Sequence, residues 1–396
     1  MRYRFDRFVL DAACRELHDG ETPVALEPQV FDLLEFLIRN RGRVVTRDDL
    51  IAGVWGGRIV SESTLATRIN AARKAVGDDG AAQRLIRTIA RKGFRFVGEV
   101  REDGGGGASE PARDSAGAVN QTIGFCRASD DVGIAMAVAG AGPVLFKAAN
   151  WLNHLEYDWQ SPIWSPMFER LAGRFRLVRY DGRGNGLSDR DVADISFAGF
   201  ERDLEAVAGS LDAERFALLG LSQGAAAAIT YAVRHPQRVA RLILYGAYAQ
   251  GRNRRSNPED AATAQTVLAM MRQGWGSEDS AFMRAFSSLY LPNGTREQIR
   301  WFAEMQQRAT AAEMAVRLRV ACDDIDVVDS LAQVRVPTLV LHASRDNVVP
   351  VEQGRLIAAR IPGATFVLLD SENHVPIPGE PAWERLLAEI EQFAAA

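Results

Sequence analysis

Cysteine is scarce in this chain of 396 residues, and long apolar runs are missing from it. The three cysteines, Cys14, Cys126 and Cys322, lie too far apart in the sequence to form a metal-binding or redox pair. Such usage favours a reducing compartment, and we expect a cytoplasmic protein. A run of about 18 apolar residues, which a membrane-spanning helix needs, does not occur, and the start MRYRFDRFVL lacks the features of a signal peptide. We therefore expect no membrane, metal or cofactor among its partners.

The net charge of −4 is divided unevenly along the chain. Residues 1–100 contain 17 Lys and Arg against 14 Asp and Glu, a balance of +3, so the remainder carries −7. A basic first part joined to an acidic second part indicates a nucleic-acid partner for the first part only.

A change of composition divides the chain in two. Residues 101–120, REDGGGGASEPARDSAGAVN, are rich in glycine, serine, proline and charge, and they contain no apolar period. Such a stretch is typical of a flexible linker. We expect one domain in residues 1–100 and a second in residues 121–396.

The first part contains three helical patterns followed by a hairpin. The segment VFDLLEFLIRN has one apolar helical face, and Thr46 with Asp49 forms a near capping box at the start of TRDDLIAGVW. A third helix is predicted from about Ser63 to Val76, with an inward apolar stripe formed by Leu65, Ile69, Ala72 and Val76. The strand-like runs in LIRTIARKGFRFVGEV meet at a basic tip, residues 90–93.

Three helices and a basic hairpin describe a winged helix-turn-helix. The motifs LEPQVFDLLEFLIRNRGRVVTRDDLIAGVWG, SESTLATRINAARKAVGDD and LIRTIARKGFRF resemble the OmpR-type winged-helix domain of bacterial regulators over nearly all of residues 1–100. In that family the third helix enters the major groove and the wing reaches the minor groove. The resemblance implies double-stranded DNA as a partner, bound by a homodimer.

Candidate DNA contacts lie on the third helix and on the wing. Lysine and arginine can neutralise phosphates, Asn70 can pair with adenine, and Thr67 can touch a thymine methyl group. Ala71 stands where an arginine often occurs in familiar members of the family. A solvated face of a protein–protein module is the alternative interpretation. The candidate residues are Ser63, Thr64, Thr67, Arg68, Asn70, Ala71, Arg73, Lys74, Arg91 and Lys92.

In the second part, apolar strands alternate with amphipathic helices, which predicts an α/β protein with a mostly parallel sheet covered on both faces. From residue 247 to about 330 the strand pattern stops and helical patterns follow, so we expect a helical lid inserted between two strands. The predicted strands are Gly124–Arg127, Ile134–Val138, Val144–Ala148, Arg176–Tyr180, Phe216–Leu221, Val239–Tyr245, Thr338–Ala343 and Thr365–Leu369.

The sequence Gly220-Leu221-Ser222-Gln223-Gly224 fits G-x-S-x-G at the junction of a strand and a helix. Asp346 and His374 follow, each just after a predicted strand, in the order Ser, Asp, His. With the loop RYDGRGNGLSD, these features resemble the α/β-hydrolase family over about residues 120–396. We expect Asp181 and Arg183 to brace that loop.

The resemblance implies a serine-hydrolase mechanism. His374 would act as general base, Asp346 would orient it, and Ser222 would attack an ester, lactone, thioester or similar carbonyl. The oxyanion donors by position are the backbone N–H groups of Gln223 and Trp151. Relatives commonly have His-Gly before the second donor, whereas this chain has Lys-Ala-Ala-Asn-Trp.

Three functions are compatible with these patterns. The first is a transcriptional regulator whose hydrolase-fold domain binds a small hydrophobic carbonyl compound. The second is an active serine hydrolase that the winged helix tethers to DNA or that represses its own gene. The third is a hydrolase fold that serves only to pair two winged helices.

Overall fold

The computed structural model describes most of the chain and divides it into two compact units, Met1–Ser115 and Ala116–Ala396. The residues described are 2–11, 14–20, 22–24, 26–41, 44–47, 49–50, 54, 62–80, 82–89, 93–98, 100–103, 120–276 and 280–395.

The first unit is a winged helix with an additional antiparallel sheet. Four strands follow each other as a meander, and a fifth strand from the end of the unit pairs with the first. The strands of this sheet are β1 (Arg2–Phe5), β2 (Phe8–Asp11), β3 (Glu16–Asp19), β4 (Thr22–Val24) and β7 (Val100–Asp103). The other elements are α1 (Pro28–Arg39), α2 (Glu62–Ala75) and the hairpin β5 (Ile86–Ile89) and β6 (Gly93–Phe96).

The boundary of this unit differs from the prediction. Strand β7 continues to Asp103 and pairs with β1 from Arg2 to Phe5, so its last three residues belong to the sheet and not to a linker that starts at residue 101. The physical reason is that the backbone N–H and C=O groups of these residues pair with those of β1. Such pairing does not depend on the polar side chains from which the linker was predicted.

The sequence pattern explains how the first unit packs. The apolar face of α1 is buried together with Leu65 and Ile69 of α2, and the rings of Phe5 and Phe96 meet edge to face at 5.2 Å. Thr46 and Asp49 form the expected reciprocal cap, with N–H to oxygen distances of 2.8 and 3.1 Å.

In the second unit, the described part of residues 120–395 contains a sheet of eight strands. Neighbouring strands of this sheet are parallel, except that β9 at one edge runs antiparallel to both of its neighbours, β11 and β8. The order across the sheet is β15-β14-β13-β12-β10-β11-β9-β8. The strands are β8 (Gln121–Arg127), β9 (Gly133–Ala139), β10 (Val144–Lys147), β11 (Arg176–Tyr180), β12 (Phe216–Leu221), β13 (Val239–Tyr245), β14 (Thr338–Ala343) and β15 (Thr365–Leu369).

Helices connect these strands and form the lid. The connecting helices are α3 (Leu155–Trp159), α4 (Ser165–Ala172), α5 (Phe197–Ser210), α6 (Gly224–Arg234), α12 (Val351–Arg360) and α13 (Pro381–Ala395). Between β13 and β14 the described residues form a short 3₁₀ turn and the helices α7 (Pro258–Gly274), α8 (Ala281–Tyr290), α9 (Arg296–Ala309), α10 (Ala312–Asp323) and α11 (Val328–Leu331). The predicted fold class is therefore confirmed, and the predicted lid region is helical. No helix among the described residues is long and apolar enough to cross a bilayer.

Candidate functional site

Ser222 lies at a sharp turn between β12 and α6, and its φ of +50° is in the left-handed region. This conformation costs a residue with a side chain about 1–3 kcal/mol. The flanking glycines allow the close packing of the turn: a Cβ on Gly220 would lie 2.6 Å from the Cα of Ala225, and one on Gly224 would lie 2.3 Å from the Ala149 oxygen. The turn therefore holds the serine above the carboxyl end of the central strand.

His374 and Asp346 form a short hydrogen bond, with 2.6 Å between Nδ1 and Oδ2. The second carboxylate oxygen accepts the N–H groups of Val348 and Val349 at 2.8 and 3.0 Å. Burial by itself would raise the pKa of Asp346, but the nearby His374 and these hydrogen bonds lower it below the usual value. Because an ionised carboxylate only accepts, Nδ1 carries the ring proton and Nε2 is left as the basic nitrogen.

Ser222 and His374 line one enclosed cavity beneath the lid. Its walls are mostly apolar and include Trp151 together with Tyr290 and Phe302 from the lid helices. The backbone N–H of His374 donates to the Tyr290 oxygen at 2.9 Å. Among the aromatic side chains of the lid helices, Tyr290 reaches this cavity, whereas Trp275 and Phe286 pack against each other in the lid core.

The predicted oxyanion donors, Gln223 and Trp151, line a cavity together with Ser222. Among the described groups of the protein, neither backbone N–H has an acceptor, so both are available to an oxygen on a ligand. The Trp151 indole donates to Gln306 of the lid at 3.2 Å, and the Asn150 N–H donates to Asn153 at 3.0 Å. The loop is thus held by the Asn153 side chain from within and by Gln306 from the lid.

A cluster of buried charges lies under this loop, and it was not predicted from the sequence. Nζ of Lys147 donates to Oδ1 of Asn150 at 2.5 Å. The Lys147 ammonium also interacts electrostatically with Asp158, Arg179 and Asp181. Burial lowers the pKa of Lys147 and raises that of Asp181 to about 7. The sequence signal was that Lys147 and Arg179 belong to strands whose other residues are mostly apolar.

The loop after β11 is braced by ion pairs. Arg183 is fully buried and binds Asp203 at 2.9 Å and Asp130 at 2.8 Å. Asp181 accepts the N–H groups of Leu155 and Leu187 at 3.1 and 2.9 Å. Both residues hold the loop beside the cavity, as their predicted bracing role requires.

In the first unit, α2 presents several predicted DNA contacts to solvent. Thr67, Asn70 and Lys74 are exposed and Thr64 is half-buried. Arg68 is half-buried and pairs with Glu27. Ala71 is also half-buried and packs against the core. Ser63 belongs to α2, but its side chain lies outside the description, as do Arg91 and Lys92 altogether.

The structure places Arg73 inside the first unit and not on the exposed face that the predicted DNA contact requires. Its side chain is 5% exposed, and its guanidinium donates to the Ile86 oxygen at 2.8 and 3.0 Å and to Thr88 Oγ1 at 2.8 Å. These bonds join α2 to β5 and engage Nε and Nη2 of the guanidinium within the protein. The spacing of four residues from Ile69 places Arg73 on the inward face, which was a sequence signal for this role.

Sequence reasoning also missed three arginines next to the serine. Arg252, Arg255 and Arg319 line the cavity that contains Ser222 and Gln223. They come from two segments of the lid region that are distant in the sequence, so no local motif connects them.

Comparison with known proteins agrees with this geometry. Residues 156–381 match the family model described as alpha/beta hydrolase fold, and residues 20–96 match the model described as transcriptional regulatory protein, C terminal. The serine turn, the histidine–carboxylate pair and the mixed sheet define an α/β hydrolase. The chain belongs to the α/β-hydrolase fold family, and it carries an OmpR-type DNA-binding winged-helix domain in front.

Several relatives match the second unit. The chain is 26% identical over 253 residues to the AB hydrolase superfamily protein YisY of Bacillus subtilis, covering 64% of this chain and 91% of that protein. It is 25% identical over 254 residues to the pimeloyl-acyl-carrier-protein methyl ester esterase of Nitrosomonas europaea, covering 63% and 95%. A hydrolase structure from Pseudomonas aeruginosa superposes with a TM-score of 0.56 at 25% identity, covering 72% of this chain and 100% of that one.

Proposed function

We propose that the protein is a cytoplasmic transcriptional regulator that binds DNA as a homodimer and responds to a small molecule held in its hydrolase-fold domain. One observation carries the proposal: a single chain combines a DNA-binding helix that exposes Thr67, Asn70 and Lys74 with a cavity around Ser222. A pocket that orients a substrate can equally bind an effector, and an effector that prefers one conformation shifts the population toward it.

The cavity favours a small hydrophobic ester, lactone or similar carbonyl compound. Its apolar walls suit a hydrocarbon part, and the unused N–H groups of Gln223 and Trp151 suit a carbonyl oxygen. The likeness to a methyl ester esterase supports the same class of ligand.

Hydrolysis of this ligand is the second candidate function, and the 2.6 Å contact between His374 and Asp346 favours it. In such a reaction Nε2 of His374 takes the proton of Ser222 while Oγ bonds to the carbonyl carbon. The same proton then passes to the leaving alcohol as the ester bond breaks. Water then bonds to the acyl carbon while Nε2 of His374 takes its proton, and this proton returns to Oγ of Ser222 as the acyl–serine bond breaks and the acid leaves. Asp346 keeps the proton on Nδ1 throughout.

The regulator proposal is tested by mapping the DNA bound by the full chain across the genome of its host. We expect enriched sites near its own gene or neighbouring genes, and Lys74→Ala should reduce the enrichment. An absence of enriched sites would count against a regulatory role.

A reporter gene next to such a site separates sensing from catalysis. Ser222→Ala should keep control by the ligand, because the lost hydroxyl contributes a hydrogen bond of about 0.5–1.5 kcal/mol while most pocket contacts remain. If the variant binds ligand and yet no longer responds to it, chemistry at Ser222 is itself the signal.

A further inference from the structure

A second cavity reaches Ser222, separate from the one that His374 lines, and it is lined by arginine side chains. Arg252 and Arg255 follow β13, Arg319 belongs to α10, and all three line the cavity that contains Ser222 and Gln223. All three side chains are largely buried, with exposed fractions of 15%, 9% and 10%. Charged groups at such a position need partners of opposite charge.

Arg319 has its partner within the protein. Its Nε and Nη2 atoms donate to the two carboxylate oxygens of Asp323 at 3.0 and 2.8 Å, and its guanidinium lies over the Trp151 ring at 5.6 Å. This bidentate pair uses both carboxylate oxygens of Asp323.

Arg252 is incompletely satisfied. Its Nη1 atom is buried and has no hydrogen-bond partner among the described residues. The nearest carboxylate oxygen, on Asp323, lies 3.6 Å away, beyond the ordinary distance of a hydrogen bond. Nη2 has only a long contact of 3.4 Å to the Val348 oxygen. A buried guanidinium nitrogen in this state costs stability unless a ligand accepts from it.

Arg255 is held by one backbone contact and a distant carboxylate. Its Nε donates to the Gln250 oxygen at 3.0 Å, and its Nη1 lies 3.8 Å from Asp260. Burial lowers the pKa of this guanidinium, and Asp260 compensates only partly. The charge of Arg255 is therefore poorly neutralised by the protein.

The charges identify the kind of anion that fits. Three guanidinium groups face two carboxylates, Asp323 and Asp260, which leaves one positive charge in excess. A carboxylate carries a single negative charge and matches the planar fork of arginine. A phosphate monoester carries about −1.5 to −2 and would overcompensate.

We propose that the ligand of this cavity carries a free carboxylate, bound by Arg252 and Arg255, in addition to the carbonyl group that reaches Ser222. The inference rests on the proposed carbonyl-binding function and narrows its ligand class to short acids with an ester or lactone at the other end. The arginines thereby act as a specificity determinant, since a neutral ester would leave them unpaired.

Two chromogenic esters of equal chain length test this inference with the full protein. Mono-para-nitrophenyl glutarate has a free carboxylate where para-nitrophenyl pentanoate has a methyl group. We expect kcat/KM to be about tenfold to a hundredfold higher for the glutarate ester, as for a charged hydrogen bond. Arg252→Met and Arg255→Met should remove this preference, because kcat/KM for the glutarate ester falls to the level of kcat/KM for the pentanoate ester of the same variant. The matched control is Arg254→Met, since Arg254 is exposed and outside the cavity.

The outcomes distinguish this inference from the proposed function. Equal or faster hydrolysis of the pentanoate ester overturns the carboxylate site but leaves carbonyl hydrolysis standing. If neither ester is hydrolysed, the hydrolytic function fails and free glutarate becomes the probe. Glutarate should then raise the melting temperature of the wild type and Arg254→Met but not of Arg252→Met. The absence of that difference overturns the inference, and a single cooperative melting transition in each unliganded variant shows that all of them fold.

Discussion

The Nε2 atom of His342 lies 3.7 Å from Oδ2 of Asp346, so this carboxylate has a second histidine beside it besides His374. The same nitrogen donates to the Val349 oxygen at 3.0 Å. Since a carbonyl oxygen only accepts, Nε2 carries the proton, and burial lowers the pKa of His342 and keeps it neutral. His342 thus holds the turn whose N–H groups bind Asp346.

We expect His342→Ala to lower the free energy of unfolding by about 2–4 kcal/mol, because it leaves a cavity and an unpaired Val349 carbonyl. It should also lower kcat, since the turn around Asp346 loosens. His342→Gln, which can still donate to that carbonyl, is the matched control and should lose less. Denaturant titration measures the difference, and an unchanged midpoint in His342→Ala would contradict the role of the ring.

The strained backbone at Ser222 predicts a difference in stability between two variants that are both inactive. The free energy of unfolding of Ser222→Gly should exceed that of Ser222→Ala by about 0.5–1 kcal/mol, because glycine adopts a positive φ without strain. Both variants should lose hydrolysis by a factor on the order of a million. Equal stability of the two variants would show that the turn stores no strain at this position.

Lys74 and Arg73 are neighbours in the sequence and should behave differently. Lys74→Ala should weaken binding to all DNA sites alike and reduce the slope of log K against log salt by about 1, with little change in melting temperature. Arg73→Ala should lower the melting temperature of the first unit, because it breaks the bonds to Ile86 and Thr88. Fluorescence anisotropy at several salt concentrations and thermal melts distinguish them. A normal melting temperature in Arg73→Ala would contradict the buried role.

The buried Asp181 predicts a pH dependence of stability. Burial raises its pKa from 3.8 to about 7 in the folded protein, so the folded state holds a proton that the unfolded state releases between these values. The stability contributed by this group is present at low pH and is lost as the pH rises toward 7. Relative to Asp181→Asn, the wild type should lose up to about 4 kcal/mol over this range. Parallel pH profiles of the two proteins would refute the shift.

The fold and the serine turn were predictable because their signals are local. The motif Gly-Leu-Ser-Gln-Gly at the end of a strand predicts the turn by itself, and the strands before Asp346 and His374 are short, mostly apolar runs. The arginine cluster was not predictable, since Arg252 and Arg319 meet only when the lid folds over the sheet. A lysine such as Lys147 is ordinarily assigned to the surface, and only the tertiary fold supplies its buried partners.

Arg73 shows the converse error. Its charge suggested a phosphate contact, but its spacing of four residues from Ile69 places its side chain on the buried face of the helix. Periodicity was therefore a better guide than residue type at this position.

The bonds of Arg73 have a consequence for how this protein selects its binding sites. Because they attach the last turn of α2 to β5, these bonds fix the distance between the hairpin and the helix that we propose to bind DNA. Asp78 adds to the attachment by accepting the N–H groups of Leu85 and Ile86, both at 2.9 Å. A helix and a hairpin at a fixed distance fit a duplex whose grooves have a matching spacing. Any other duplex must deform to bind, and this deformation costs free energy. We expect the preferred operators to share a groove geometry more closely than they share a base sequence.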